Sequence, residues 1–269
     1  MTDRYLIAID LDGTLLRDDK TISERTKRVL KQVKKEGHLV MISTGRPYRS
    51  SEMYYRELGL DTPIVNFNGA FVHHPLDPDW GIFHEPIAIS MVKSIIEMCI
   101  QYNFSNMIAE VIDRVFIHSH DEKLLDIFLM GNPNVTTGDL RTFLKDDPTS
   151  LLIYAEKTQL DKIRDFLNGA FAEAIEHRSW AYPYDVIEVN KRGVNKAAGV
   201  KMVADSYGIP RERIIAFGDE DNDLEMLRFA KYGVAMANGI DAAKEVASSV
   251  TLSNEEDGVA VYLEKMLLA

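Results

Sequence analysis

The length, composition and charge of this chain limit what it can be. With 269 residues, 46% of them hydrophobic, it can form one large domain or two ordinary ones around a substantial core. A formal net charge of −11 disfavours binding to nucleic-acid phosphates, so we expect no nucleic-acid partner.

Other features favour a cytoplasmic protein. Cys99 is the only cysteine, so no disulfide can form within the chain. No apolar run approaches the roughly 20 residues that a membrane span needs, and the first residues lack the pattern of a secretory signal. We therefore expect a cytoplasmic location without membrane association. The sequence leaves open whether the protein is a monomer or a homodimer.

Strand and helix patterns alternate at both ends of the chain. Near the start, apolar and β-branched runs predict strands at "YLIAI", "HLVMIS" and "PIVNF", with helices over 23–36 and at "RSSEMYYREL". In the last third, the same reasoning predicts helices over 195–207, 221–230, about 240–246 and at the end, with strands at "RIIAFG", "GVAMA" and "SVTL". This order is typical of βαβ units. Both ends therefore predict halves of one doubly wound α/β parallel sheet.

The middle of the chain has a different pattern. Longer amphipathic helices are predicted over 89–102, 121–130 and 159–170, and strands at "NMIAEVI", "RVFIHSH", "PTSLLIYAE" and "YDVIEVN". The stretch "HHPLDPDWG" predicts a hairpin turn. These patterns predict a core domain formed by residues 1–84 and 191–269, into which an α+β unit of residues 85–190 is inserted.

Polar clusters follow three of the predicted core strands. They comprise Asp10 and Asp12 after the first strand, Thr44, Gly45 and Arg46 after the second, and Asp219, Asn222 and Asp223 in "GDEDND" after a later one. In open parallel sheets, ligands bind beyond the carboxyl ends of the strands. We therefore expect the three clusters to converge on one edge of the sheet.

The convergence of acids suggests a cation and a phosphoryl group. Carboxylates as close as Asp10 and Asp12 raise each other's pKa unless a positive charge compensates. Mg²⁺ binds oxygen ligands, often one or two carboxylates together with a substrate phosphate. Lys196 at a helix start adds a second cation, and the Thr44 hydroxyl adds a hydrogen-bond donor. One aspartate could then attack phosphorus while another moves protons.

Four motifs in order resemble a known family. "DLDGT" at 10–14, "STGR" at 43–46, Lys196 and "GDEDND" at 218–223 resemble the signature motifs of the haloacid dehalogenase (HAD) superfamily of phosphatases, in particular its Cof-type branch. In that branch a large α/β cap lies between the second and third motifs, and in this chain only the interval between Thr44 and Lys196 has room for one. The resemblance covers the whole chain. It implies a HAD-like, Rossmannoid core and a cap that sets substrate specificity.

The resemblance also implies roles for individual residues. Asp10 would be the nucleophile and Asp12 the general acid/base. Mg²⁺ would be bound by the Asp10 carboxylate, the Asp12 main-chain carbonyl and Asp219. The residues implied to hold phosphate are Leu11 and Gly45 through their amides, Thr44, Lys196 and Asn222. Asp223 would orient Lys196 or a metal-bound water, and Asn68 matches a recurrent feature at the end of the third strand. For Arg46 two interpretations stay open: it ties the loop together, or it touches substrate.

The implied function is a Mg²⁺-dependent phosphatase that acts through an aspartyl-phosphate. Its substrates would be small phosphorylated metabolites such as sugar phosphates, nucleotides or phosphorylated cofactors. A phosphomutase with the same intermediate is an alternative. A signalling module phosphorylated on Asp10 is a weaker one, because receiver domains are shorter and lack a cap.

Some residues of the middle region allow more than one interpretation. Trp180, Tyr182 and Tyr184 could form cap core or line a substrate pocket. Asp185 and Glu188 could bind sugar hydroxyls, although no spacing argument supports it. The histidine pairs 73–74 and 118/120 lack a third ligand at useful spacing, so we expect no structural zinc there.

Overall fold

The computed structural model describes residues 4–122, 130–179 and 185–268. It divides into two compact units. The first comprises Met1–Arg46, Met53–Phe83 and Asn195–Ala269, and the second comprises Pro47–Glu52 and His84–Val194. The first unit thus contains both ends of the chain, and the second is inserted between them.

Strands and helices follow one another along both units. The strands are β1 Leu6–Ile9, β2 Leu39–Ile42, β3 Ile64–Asn66, β4 Phe71–His73, β5 Ile82–His84, β6 Asn106–Val111, β7 Arg114–Ile117, β8 Asn134–Thr137, β9 Ser150–Tyr154, β10 Ile175–Ser179, β11 Val186–Lys191, β12 Ile214–Gly218, β13 Tyr232–Ala235 and β14 Ser249–Val250. The α-helices are Glu24–Lys35, Tyr48–Glu57, Ile89–Gln101, Leu140–Phe143, Lys157–Ala170, Lys196–Ser206, Leu224–Phe229, Asp241–Val246 and Gly258–Leu267. None of the described helices is long and apolar enough to cross a lipid bilayer.

The first unit is built on a five-stranded sheet in the order β14-β13-β12-β1-β2. All neighbouring strands in it are parallel, with Ile7 of β1 opposite Val40 of β2 and Ile215 of β12. The residues of β1 are apolar and fully buried, as expected for a strand covered on both faces. A central strand of this kind delivers the residue that follows it to the carboxyl edge of the sheet.

The predicted elements of this unit are found with small differences. The helix predicted over 23–36 is Glu24–Lys35, with Ser23 accepting a hydrogen bond from the Thr26 N–H as its N-cap. The helix predicted over 221–230 is shorter, because a 3₁₀ turn at Asp221–Asp223 precedes Leu224–Phe229. The third strand was expected in the parallel sheet, but β3 pairs antiparallel with β4 and meets β2 only at one bridge. β4 and β5 form the predicted hairpin.

The second unit is built on a six-stranded sheet in the order β10-β11-β9-β6-β7-β8. Its neighbouring strands are antiparallel except for β7 and β8, which are parallel. One apolar cluster joins the sheet to the helices Ile89–Gln101 and Lys157–Ala170 and includes Ile96, Ile153 and Leu167. Cys99 lies in this cluster, and burial raises the pKa of its thiol to about 12.

The sequence did not predict two strands of this sheet, β8 and β10. The two end residues of β8 are exposed and its middle residues only half-buried, and β10 carries polar residues at most positions, so neither shows a clear apolar alternation. Most of the helix predicted over 121–130 lies outside the described residues. So do Trp180, Tyr182 and Tyr184.

A buried ion pair lies within the second unit. The Arg49 guanidinium pairs with the Glu110 carboxylate, and the two side chains are only 6% and 5% exposed. Arg49 also donates to the Ile112 carbonyl at 3.4 Å, and its backbone N–H donates to Asp113 at 3.2 Å. Burial raises the pKa of Glu110, although Arg49 opposes the shift. Removing one partner should therefore lower the free energy of unfolding more than removing both partners.

We expect Arg49→Met to lower the free energy of unfolding by about 3 kcal/mol or more, because Glu110 is left buried without its partner. The double variant Arg49→Met/Glu110→Gln should recover at least part of that loss. Urea unfolding monitored by circular dichroism measures both. The control is Arg114→Met, which removes an exposed pair with Asp146 and should cost less than about 1 kcal/mol. Equal losses in Arg49→Met and Arg114→Met would contradict the prediction.

Candidate active site

The site begins where β1 ends. The backbone N–H of Asp10 donates to the Phe217 carbonyl of β12 at 3.1 Å, so Asp10 is still held by the sheet. The chain then turns, and the Leu11 carbonyl accepts the N–H groups of Leu15 and Leu16 at 3.1 and 2.8 Å. Gly13 lies within this turn at a φ of +72°, and a Cβ there would overlap the carboxylate of Asp219. Glycine therefore lets the first motif approach the last one.

Asp219 follows β12 and meets the first motif directly. The Thr14 hydroxyl donates to Asp219 Oδ1 at 2.6 Å, and the Asp219 carbonyl accepts the Ile240 N–H at 2.9 Å. Burial and then the Asp223 carboxylate raise the pKa of Asp219 to about 7, against the opposing effect of the hydrogen bond from Thr14. Thr14 was part of the predicted motif without an assigned role. In the structure, the Thr14 hydroxyl orients the Asp219 carboxylate.

Lys196 lies between two carboxylates. Asn195 caps its helix by accepting the Ala198 N–H, which places Lys196 at the first helical position. The fully buried Nζ donates to Asp10 Oδ1 at 2.6 Å and to Asp223 Oδ1 at 2.7 Å. Burial opposes the charge of Lys196, but the two carboxylates outweigh burial and raise its pKa. Lys196 is therefore a fixed cation beside Asp10.

Asp223 organises the loop after β12. Its Oδ2 accepts the backbone N–H groups of Asp219 at 2.9 Å and of Glu220 at 3.1 Å, while its Oδ1 faces Lys196. The side chain is completely buried. Asp223 thus orients both Lys196 and the backbone that carries Asp219. Orienting Lys196 was one of the two roles predicted for Asp223.

The chemistry of these acids fits a divalent metal ion. Carboxylate oxygens of Asp10, Asp219 and Asp223 lie within 4.8 Å of one another. Burial raises the pKa of Asp10 well above its ordinary value, Lys196 opposes this, and the carboxylates of Asp223 and Asp219 add to it. Lys196 supplies one positive charge against three carboxylates. An all-oxygen cluster with excess negative charge is what a hard cation such as Mg²⁺ prefers.

The second motif adjoins the third strand. The Thr44 N–H donates to the Val65 carbonyl at 2.9 Å, and the Thr44 carbonyl accepts a hydrogen bond from the Asn68 N–H at 3.1 Å. Asn68 adopts a left-handed φ of +55°. Its Oδ1 accepts a hydrogen bond from Asn222 at 3.0 Å, and a Cβ on Gly45 would lie 3.0 Å from the same oxygen. The structure therefore brings Thr44, Gly45, Asn68 and Asn222 together.

Asp12 has a different environment from Asp10. Arg46 donates from Nε to Asp12 Oδ2 and from Nη2 to Asp12 Oδ1, both at 2.6 Å, and Lys20 donates to Oδ1 at 2.8 Å. Partial burial opposes the charge, but the hydrogen bonds and charges of Arg46 and Lys20 outweigh burial and lower the pKa of Asp12 to about 2. Of the two interpretations of Arg46, this contact fits the one in which it ties the loop together.

These contacts change one argument made from the sequence. Asp10 and Asp12 were expected to raise each other's pKa. Instead, the repulsion felt by Asp10 comes from Asp223 and Asp219, while Asp12 is neutralised by Arg46 and Lys20. Lys20 was not predicted as a site residue. It lies outside the four motifs, and only its acidic and turn-forming neighbours in "RDDKT" could have drawn attention to it.

Known proteins match this chain over almost its full length. A family model for haloacid dehalogenase-like hydrolases matches residues 7–263. The chain belongs to this family.

Individual proteins also match. The 5-amino-6-(5-phospho-D-ribitylamino)uracil phosphatase YitU of Bacillus subtilis is 58% identical over 264 residues, covering 98% of each chain. A phosphatase of the same organism named for the same compound, YwtE, is 30% identical over 288 residues, covering 97% of each chain. A haloacid dehalogenase-like hydrolase from Bacteroides thetaiotaomicron has a TM-score of 0.87 at 25% identity, covering 98% of this chain and 100% of that one.

These matches confirm the predicted family and the predicted fold class of a parallel-sheet core with an inserted cap. The parallel sheet lies in the first unit, and the six-stranded sheet lies in the second. The chain is accordingly an enzyme, a phosphatase of the HAD-like hydrolases. Membership of this family also disfavours the signalling module considered from the sequence.

We expect divalent metal to bind more weakly as the pH falls through about 7. Asp219, with a pKa of about 7, is ionised above that pH and protonated below it, and a proton on the carboxylate competes with the metal. The apparent affinity for Mg²⁺ should fall by up to about tenfold per pH unit below 7 and level off above it. Calorimetric titration with Mg²⁺ across this range measures it. Asp219→Asn should reduce the dependence to the part that Asp10 contributes, because the pKa of Asp10 is also raised, and a flat profile in the unaltered protein would contradict the prediction.

Proposed function

We propose that this protein is a Mg²⁺-dependent phosphatase in which Asp10 is the nucleophile and Asp12 the general acid/base. The observation that carries the proposal is the contact of the Lys196 ammonium with Asp10 at 2.6 Å, beside the carboxylate of Asp219. A cation fixed next to a carboxylate can hold a phosphate oxygen close to that carboxylate. Asp10 is only 6% exposed, so the attack would take place with little bulk water.

The metal would be held by this acid cluster. Asp10 and Asp219 would supply carboxylate oxygens, the Asp12 main-chain carbonyl a further ligand, and Asp223 would support the arrangement through Lys196. When bound, Mg²⁺ would neutralise the excess negative charge and stabilise the phosphate oxygens.

The first half of the reaction forms the aspartyl-phosphate. An Asp10 carboxylate oxygen bonds to phosphorus, the bond from phosphorus to the substrate oxygen breaks, and a protonated Asp12 gives its proton to the leaving alcohol. Lys196, Thr44, Asn222 and the amides of Leu11 and Gly45 would hold the phosphate oxygens.

The second half returns the enzyme to its starting state. A water oxygen bonds to phosphorus and gives a proton to Asp12, the Asp10–phosphorus bond breaks, and orthophosphate leaves. In the structure Arg46 and Lys20 keep Asp12 as a carboxylate, which is the form that accepts this proton. This arrangement therefore corresponds to Asp12 between the two halves of the reaction, after it has given its proton to the leaving alcohol and before it takes one from water.

For the substrate we propose 5-amino-6-(5-phospho-D-ribitylamino)uracil, a phosphomonoester of a polyol joined to a pyrimidine. Two relatives of this chain, at 58% and 30% identity, bear the name of a phosphatase of that compound, and both alignments cover nearly the whole of each chain. The match therefore includes the second unit, which the family resemblance identifies as the determinant of specificity.

We expect Asp10→Asn to lower kcat by about 10³-fold or more, because an amide cannot act as the nucleophile. The fold should survive, since asparagine has the same shape. Release of orthophosphate and cooperative unfolding are the two measurements. Asp61→Asn, at an exposed aspartate of the same unit, is the matched control and should keep full activity. Turnover of Asp10→Asn at the rate of the unaltered enzyme would contradict the mechanism.

The substrate is tested with a panel of phosphorylated metabolites, assayed with Mg²⁺ and with chelator. We expect kcat/KM for the proposed ribitylaminouracil phosphate to exceed that for simple sugar phosphates and nucleotides by about tenfold or more, because contacts with the ribitylaminouracil part of the substrate add binding energy. Chelator should abolish turnover. If a phosphate ester of another class is the better substrate, only the proposed substrate is wrong, and the proposed mechanism stands. Isomer formation without phosphate release would indicate a phosphomutase.

A further inference from the structure

The two cations that hold Asp12 share one tyrosine. The Tyr54 hydroxyl donates to the backbone carbonyl of Lys20 at 3.0 Å. The guanidinium carbon of Arg46 lies 5.6 Å from the centroid of the Tyr54 ring, within the range of a cation–π contact. Tyr54 itself is 2% exposed and lies in the helix Tyr48–Glu57. One buried side chain therefore contacts both residues that donate hydrogen bonds to Asp12.

Lys20 occupies an unfavourable backbone conformation. Its φ is +64°, in the left-handed region that lysine seldom adopts. A tight turn holds it there: its N–H donates to the Arg17 carbonyl, and the Arg17 N–H donates to the Thr21 carbonyl, both at 2.9 Å. The hydrogen bond from Tyr54 adds a third restraint. Glycine or asparagine would suit this backbone better, so the structure tolerates strain to place a lysine side chain at this position.

The three hydrogen bonds from Arg46 and Lys20 are distributed unevenly over the Asp12 carboxylate. A carboxylate has about four lone-pair positions, two on each oxygen. Oδ1 accepts from both Arg46 and Lys20, which fills its two positions, whereas Oδ2 accepts one of the three, from Arg46. The arrangement fixes the plane of the carboxylate and leaves Oδ2 as the oxygen with room for one more donor. A water molecule is such a donor.

We propose that Lys20 and Tyr54 are positioning residues, which hold the Asp12 carboxylate so that its Oδ2 accepts the proton of the water that hydrolyses the aspartyl-phosphate. The inference rests on the proposed function. In the step concerned, the water oxygen bonds to phosphorus, the Asp10–phosphorus bond breaks with its electron pair returning to Asp10, and the water proton passes to Asp12 Oδ2. Neither Lys20 nor Tyr54 touches the reacting atoms; both act through Asp12.

Two variants separate the contacts. Lys20→Met removes the ammonium and keeps the length of the side chain, while Tyr54→Phe removes the hydroxyl and keeps the ring under Arg46. We expect decay of the phosphorylated enzyme to slow about fivefold in Lys20→Met, the upper range for a half-exposed charge pair. In Tyr54→Phe, which removes the contacts of the hydroxyl with the Lys20 backbone and with Arg46, it should slow about threefold.

The measurement is a rapid acid quench followed by mass spectrometry of the intact protein, with p-nitrophenyl phosphate as substrate. Because p-nitrophenolate leaves without needing a proton, the first half of the reaction does not depend on Asp12 with this ester. We therefore expect kcat/KM to stay within about twofold of the unaltered enzyme while the decay rate falls, since kcat/KM reports only the steps up to release of p-nitrophenolate. A merely structural defect would lower kcat/KM as well.

Each variant has a matched control. Tyr55→Phe removes a neighbouring buried hydroxyl that donates to the Thr62 carbonyl at 2.7 Å. Lys31→Met removes an exposed lysine of the helix Glu24–Lys35. Both should leave the decay rate unchanged. Lys20→Arg, which keeps a cation within reach of Asp12, should restore the decay rate to within about twofold.

The outcomes distinguish the inference from the proposed function. If the unaltered enzyme forms no phosphorylated Asp10, the proposed mechanism is wrong, and the inference falls with it. If the intermediate forms and decays at the same rate in Lys20→Met, Tyr54→Phe and the unaltered enzyme, only the inference is wrong. A parallel fall of decay rate and kcat/KM in both variants also overturns the inference, because it indicates a general structural defect.

Discussion

The site depends on the contact of one buried ammonium with two carboxylates. Lys196 is completely buried and lies 2.6 Å from Asp10 and 2.7 Å from Asp223. Burial by itself would lower the pKa of this lysine, and the two neighbouring carboxylates outweigh that effect and raise it. Asp10 follows the first strand and Asp223 follows a strand near the end of the chain, so this contact joins the two terminal segments that form the core. The same three charges therefore join the two segments of the core and lie at the centre of the site.

The acids of the site divide into two groups with opposite electrostatics. Asp10 and Asp219 are buried near a further carboxylate, and their pKa values are raised. Asp12 faces Arg46 and Lys20, and its pKa is lowered to about 2. Groups whose environments move their pKa values apart are suited to different tasks. Raised pKa values mark the place where a metal ion would be most strongly attracted, and the lowered one marks a carboxylate that Arg46 and Lys20 keep ionised.

Much of the site could be predicted because its residues occur in short motifs, which lie at strand ends or, for Lys196, at a helix start. Asp10, Thr44, Lys196 and Asp219 were predicted in this way, and the structure places them together at one edge of the sheet. Lys20 and Tyr54 were not, because their contacts with Asp12 and Arg46 arise from a left-handed turn and from the packing of a helix. Neither feature has a local sequence pattern. Likewise β8 and β10 escaped prediction, since sheet pairing rather than apolar alternation stabilises them.

The sequence by itself determined the order of most strands and helices, the presence of a large insertion and the residue types of the site, because hydrophobic periodicity and motif spacing are local properties. Only the tertiary structure decided which charges pair. It assigned Lys196 to Asp10 and Asp223, and it directed Asp12 away from Asp10 toward Arg46 and Lys20. Electrostatic interactions depend on distance and burial, and a separation of two residues along the chain says little about either until the backbone has folded.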